Sequence, residues 1–132
     1  MTLYTIYTIG YGNQMPEKLF ARIPAGVILV DVREINTSAW HRAYTAPELA
    51  GTLGERYWPI PQLGNAGHQP GVWRPRGPAA LVDMLLFALA GEIQAGRPLC
   101  LLCAELRHGQ CHRSLIADAM AGLVEGLQVE HL

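Results

Sequence analysis

The sequence predicts an α/β fold: a single-domain, mostly parallel five-stranded sheet with helices on both faces. Three observations lead there. Strand-like and helix-like segments alternate along all 132 residues, with no internal repeat and no low-complexity linker between them. Two strand-like runs, 27–32 and 99–103, are almost continuously apolar, the pattern of strands covered on both sides. Half of the residues are hydrophobic, enough for one domain of this length to bury a real core.

The elements follow in order. Residues 3–9 alternate and carry β-branched and aromatic side chains, so they form the first strand. A turn at Gly10, Tyr11, Gly12 and Asn13 leads to a helix over 16–23, with Leu19, Phe20 and Ile23 on one face. Residues 27–32 make a buried strand interrupted only by Asp31. A short helix spans 46–53, with Pro47 suited to its first turn. Residues 56–60 are a short strand, 61–78 a Gly- and Pro-rich irregular stretch, and 78–95 the longest helix. The fourth strand is 99–103, the last helix 111–124 and the fifth strand 127–132. Right-handed crossovers between parallel strands then bring four loops to one sheet edge, where ligands of such folds bind. Those loops hold Gly10 to Asn13, Asp31 to Glu34, Leu63 to Asn65, and the segment from Cys103 to Arg113.

The net charge is −1, which argues against a dedicated duplex-DNA binder with a strongly basic face. The basic residues are nine Arg and one Lys, a skew that suits planar recognition of phosphate or carboxylate and equally follows from a GC-rich coding sequence. Three cysteines without repeated spacing do not form a disulfide framework. There is no signal-peptide pattern at the start and no apolar stretch of membrane-spanning length. The expectation is a cytoplasmic protein without membrane contact, its thiols free or on a metal.

The chemistry concentrates between Cys103 and Arg113. Cys103 ends a buried strand close to the start of the last helix, where the helix dipole and a nearby guanidinium favour a thiolate. It is the candidate nucleophile or thiol carrier, and Arg113 and Arg33 are candidate anion-binding groups. His112, Asp31 and Glu105 are candidate acid/base or orienting groups. Gly10, Tyr11, Gly12, Asn13, Ser38, Gly64, Asn65 and Ser114 complete the candidate binding set at the same edge. Asp31 with Arg33 or Arg113 also makes sense as a structural ion pair, since a lone buried carboxylate is costly. No cofactor is expected: the two glycines at 10 and 12 lack the third of a dinucleotide loop, which would fall at Met15. The alternative is a structural zinc held by Cys103, His108, Cys111 and His112. Cys100, inside an apolar strand, reads as core. Trp40, His41 and Arg42, and Trp73, Arg74 and Arg76, either stack a base or anchor loops.

These motifs resemble the bacterial and phage family known as domain of unknown function 488. The resemblance covers nearly the whole chain. It rests on Thr8-Ile9-Gly10-Tyr11-Gly12, Val30-Asp31-Val32-Arg33 followed by Ser38, Ile60-Pro61-Gln62-Leu63-Gly64, Leu101-Leu102-Cys103-Ala104-Glu105 leading to Cys111-His112-Arg113, and Val129-Glu130-His131-Leu132. Asn36-Thr37 departs from that family, which usually has a proline before the serine, and the segment after Gly64 is short. The resemblance implies a fold but no activity. A weaker similarity reaches the rhodanese-like domains, through Asp31-Val32-Arg33, Ile60-Pro61 and a cysteine at a strand end. It implies a rhodanese-like or flavodoxin-like three-layer sandwich. Cys103 and Arg113 stand further apart than the cysteine and arginine of a rhodanese cradle, which argues against sulfur transfer and phosphate-monoester chemistry but not against a cysteine site over a helix N-terminus. The resulting expectation is a small enzyme acting on an anionic substrate, including a nucleotide or nucleic acid. A non-catalytic nucleotide- or anion-binding or interaction module is the alternative.

Overall fold

The computed structural model describes residues 3–12, 14–34, 42–67, 69, 71–104 and 111–132. Five strands, β1 (Tyr4–Gly10), β2 (Ile28–Asp31), β3 (Tyr57–Pro59), β4 (Leu99–Cys103) and β5 (Leu127–His131), form one sheet in the order β3-β2-β4-β1-β5. Every pairing is parallel, so the sheet is more uniform than the sequence suggested. Among the described residues four α-helices connect the strands: α1 (Pro16–Arg22), α2 (Ala46–Leu53), α3 (Ala79–Gln94) and α4 (Arg113–Leu123). This is the predicted α/β fold.

Strand alternation builds two cores. Ile6, Val30, Leu99 and Leu101 pack with Val82, Leu86, Ile116 and Met120 of α3 and α4. Ile9, Leu29, Cys100 and Leu102 pack with Leu19 of α1 and Leu49 of α2. Successive side chains of a strand point to opposite faces, so a continuous apolar run such as Leu99–Cys103 feeds both layers at once. All five of its residues are buried, as are all four of β2.

The site edge follows from the winding. The chain moves outward from β1 to β2 to β3 with α1 and α2 on one face, then returns through β4 to β5 with α3 and α4 on the other. The loops after β1 and β2 therefore leave toward one face, and the loop after β4, which lies between them, leaves toward the other. The carboxyl edge between these diverging loops is where open α/β sheets bind ligands. Gly10 pairs with Cys103 at that edge, and beyond the strands Gly12 N–H still reaches the Ala104 carbonyl at 2.8 Å. No helix among the described residues is long and apolar enough to cross a membrane.

Candidate functional site

Asp31 ends β2 and points toward the α1/α2 face. Its neighbour two residues on, Arg33, shares that face by strand periodicity. The guanidinium grips the carboxylate with two bonds, Nε to Oδ1 at 2.8 Å and Nη2 to Oδ2 at 2.6 Å. The Arg33 backbone N–H adds a third, to Oδ1 at 3.1 Å. Tyr57 lies on the adjacent strand and donates its hydroxyl to Oδ2 at 2.6 Å. Arg33 also reaches the Tyr11 hydroxyl at 3.4 Å and covers the Tyr11 ring, which stacks on Tyr44 at a centroid distance of 4.2 Å. Burial works against the Arg33 charge, but Asp31 outweighs it and holds the guanidinium more firmly protonated than usual. Burial and the Asp31 hydrogen bond likewise raise Tyr57 above the ordinary phenol range. Tyr44 is pushed up to about 12, first by burial and then by Tyr11 and Glu17. The pair Asp31–Arg33 is thus a neutralised, hydrogen-bonded unit in which neither partner is offered to solvent.

The second cluster lies on the other face. Cys103, the last residue of β4, is joined by a disulfide to Cys111, two residues before α4. This corrects the expectation of free or metal-bound thiols for these two residues. An odd cysteine count does not forbid one pair, and the fold brings their Cα atoms to 6.8 Å, within bridging reach. Both are nearly inaccessible. Cys100 is the free thiol, buried in β4 as expected, and burial pushes it up to about 12.

His112 sits directly beside this bond. Its Nδ1 is 3.9 Å from Cys103 Sγ and 3.7 Å from Cys111 Sγ, and its Nε2 is 2.6 Å from the Val32 carbonyl. Arg113 follows in the first turn of α4 and is completely buried. Its Nε donates to the Thr8 hydroxyl at 3.3 Å. The Thr8 hydroxyl also hydrogen-bonds with Nδ1 of His131 at 2.6 Å, which ties β5 to the same cluster. Asp31 does not serve Arg113: its carboxylate is held by Arg33 and Tyr57 on the opposite face.

The remaining candidates divide clearly. Gly10 and Tyr11 flank Cys103 through the β1–β4 ladder, and Gly12 adopts the left-handed backbone at φ 51° that its turn requires. Ser114 donates its hydroxyl to the Cys111 carbonyl at 3.1 Å, bracing the cysteine rather than facing outward. Gly64 packs against the Glu34 backbone, where a Cβ would approach Glu34 N to 2.6 Å. Asn65 uses its side chain on loop backbone, donating to Val72 O at 2.7 Å and accepting from Arg74 N–H at 2.9 Å. Trp73 anchors the same loop through its indole N–H to Leu63 O at 3.0 Å, so of the two readings of this tryptophan the structure favours the anchor. Asn13, Ser38, Trp40, His41, Glu105 and His108 lie outside the described residues. Sequence reasoning gave no site role to Tyr44 or Tyr57, nor to Thr8 and His131, although the last two stand in the Thr8–Gly12 and Val129–Leu132 motifs; strand register or helix packing brings each to its cluster.

Of the four residues named for zinc, the structure brings Cys103, Cys111 and His112 together, with their donor atoms within 4.8 Å of one another. Chemically, the site offers a disulfide that can open to two thiols, an imidazole beside both sulfurs, and the N-terminus of α4. Comparisons with family models, with curated proteins and with solved structures found no match to this chain.

Proposed function

We propose that the protein is a thiol–disulfide enzyme in which Cys103 and Cys111 alternate between a disulfide and a dithiol. The observation that carries this reading is the bonded pair itself, set at the carboxyl edge of the central strand β4 and flanked by His112. The sulfurs of a structural staple have no need of an imidazole.

In the proposed step the Cys103 thiolate attacks one sulfur of a substrate disulfide. The first substrate thiolate leaves and takes a proton. Cys111 then attacks Cys103 in the mixed disulfide, releases the second substrate thiol and re-forms the internal bond. Two electrons pass to the substrate, and a dithiol reductant restores the enzyme by the same exchange in reverse. The N-terminus of α4 favours the thiolate and an anionic substrate alike. The substrate class we propose is accordingly a small anionic disulfide, with a nucleotide-bearing one included. Membership of the domain of unknown function 488 family is part of the same proposal, supported by the Cys103-Ala104-Glu105 and Cys111-His112-Arg113 motifs, and adds no reaction to it.

The experiment is a trapping assay with a carboxylate-bearing small disulfide. Cys111→Ser is expected to accumulate a mixed disulfide at Cys103, seen as a mass increase, while Cys103→Ser does not turn over. Full activity retained by both variants would overturn the reading, and wild-type protein that binds the substrate tightly without exchanging thiols would overturn it in favour of a binding module.

A further inference from the structure

His112 is held in a way that disulfide chemistry alone does not require. A backbone carbonyl can only accept, so the 2.6 Å contact with Val32 O places the ring proton on Nε2. In the neutral ring Nδ1 is then the basic nitrogen, and it is Nδ1 that faces both sulfurs. An imidazole whose outer N–H is fixed by a backbone carbonyl is the arrangement that orients histidine as a metal ligand.

We propose that, once the Cys103–Cys111 bond is reduced, the two sulfurs and His112 Nδ1 bind a zinc-class divalent ion. This rests on the same cysteine pair as the proposed enzyme but not on any turnover. The geometry is close to what the ion needs. Tetrahedral zinc with Zn–S near 2.3 Å and Zn–N near 2.0–2.1 Å separates a sulfur from a nitrogen by about 3.6 Å. The separations present are 3.9 and 3.7 Å. The same tetrahedron parts the two sulfurs by about 3.8 Å, so disulfide and metal exclude one another. Two thiolates and a dication sum to zero, which removes the main objection to charge in so buried a place. Sulfur and imidazole donors select zinc-like ions over magnesium or calcium, which take oxygen.

The balance is simple. A dithiol reductant leaves as its own disulfide and delivers two electrons and two protons to the cysteines. The ion then displaces both protons to solvent and keeps its charge.

The test uses the full chain without a polyhistidine tag, reduced with a phosphine, freed of reductant, and titrated with zinc chloride and with cobalt chloride. One equivalent of zinc, about two protons released per ion, and a thiolate-to-cobalt charge-transfer band with tetrahedral d–d absorption are expected. The oxidised protein should take up none, and His112→Ala should lose the uptake while keeping its circular dichroism. Less than about a tenth of an equivalent in reduced wild-type protein overturns the proposal without reliance on any variant. So does uptake unchanged in His112→Ala. Alkylation of chelator-treated protein in graded thiol–disulfide buffers separates the two readings. Cycling without metal uptake overturns the metal site and leaves the enzyme proposal standing. Metal uptake by a pair that never oxidises does the reverse.

Discussion

Asp31 shows how much one buried carboxylate organises. It accepts from Arg33 twice through the guanidinium and once through the backbone, and from Tyr57 across the β2–β3 pairing. Asp31→Ala leaves the Arg33 charge buried without its partner, and a loss of about 3–5 kcal/mol in urea unfolding is expected. Tyr57→Phe removes one bond to a charged acceptor, with an expected loss of about 1.5–3 kcal/mol. The sequence offered Arg33 or Arg113 as the partner of Asp31, and the structure takes Arg33, which shares its face because residues two apart on a strand point the same way. The Tyr57 contribution was not legible in the sequence, because it depends on which strand lies beside β2. The same limit applies at the second cluster: Cys103, Cys111, His112 and Arg113 were visible as a motif, whereas Thr8 and His131 enter through the register of β1 with β5.

At the level of elements, the connection from β4 to α4 is where the chain is cross-linked, over a sequence separation of eight. In the chain-entropy account a loop of that size stabilises the fold by about 2.5 kcal/mol. Reduction by a phosphine under metal-free conditions is therefore expected to lower the unfolding free energy by that amount, read as a fall in the urea midpoint with little change of slope. Addition of zinc to the reduced protein should restore much of it if the three-ligand site forms. The bounds of α2 and β4 coincide with the sequence reading, and most others differ by a residue or two at the ends. The start of α4 at Arg113 rather than Cys111 matters more. It leaves Cys111 ahead of the helix, able to turn back onto Cys103. The odd number of cysteines concealed that pairing, since counting thiols says nothing of where a strand end and a helix start meet.

Across the whole molecule, the alternation of segments was enough to give a parallel sheet covered on both faces, but not the strand order. Order is fixed by which helix covers which face, and the apolar surfaces of α1 to α4 are too alike in sequence to assign. That order decides that the two polar clusters sit back to back, one on each side of the sheet, rather than in one ring around Cys103. The core on the α1/α2 face holds groups that fold in their protonated form, which gives the molecule an alkaline limit. Cys100 is raised from 9.0 to about 12 by burial, and Tyr44 from 10.0 to about 12. The unfolded chain gives up these protons first, so stability is complete below about pH 9 and falls as pH rises toward 12. Urea midpoints of the oxidised protein across that range should decline, and Cys100→Ala should remove the earlier part of the decline and leave the tyrosine part.

The clamp of the Val32 carbonyl on His112 also makes that ring a reporter. A pyridine-like nitrogen resonates far from a pyrrole-like one in a nitrogen-15 spectrum, and its resonance moves again when it meets a thiol proton or a cation. With its outer nitrogen pinned, His112 signals only what happens at its inner one. A single isotope-labelled side chain can thus follow the sulfurs through every state they adopt, without waiting for a substrate to be found.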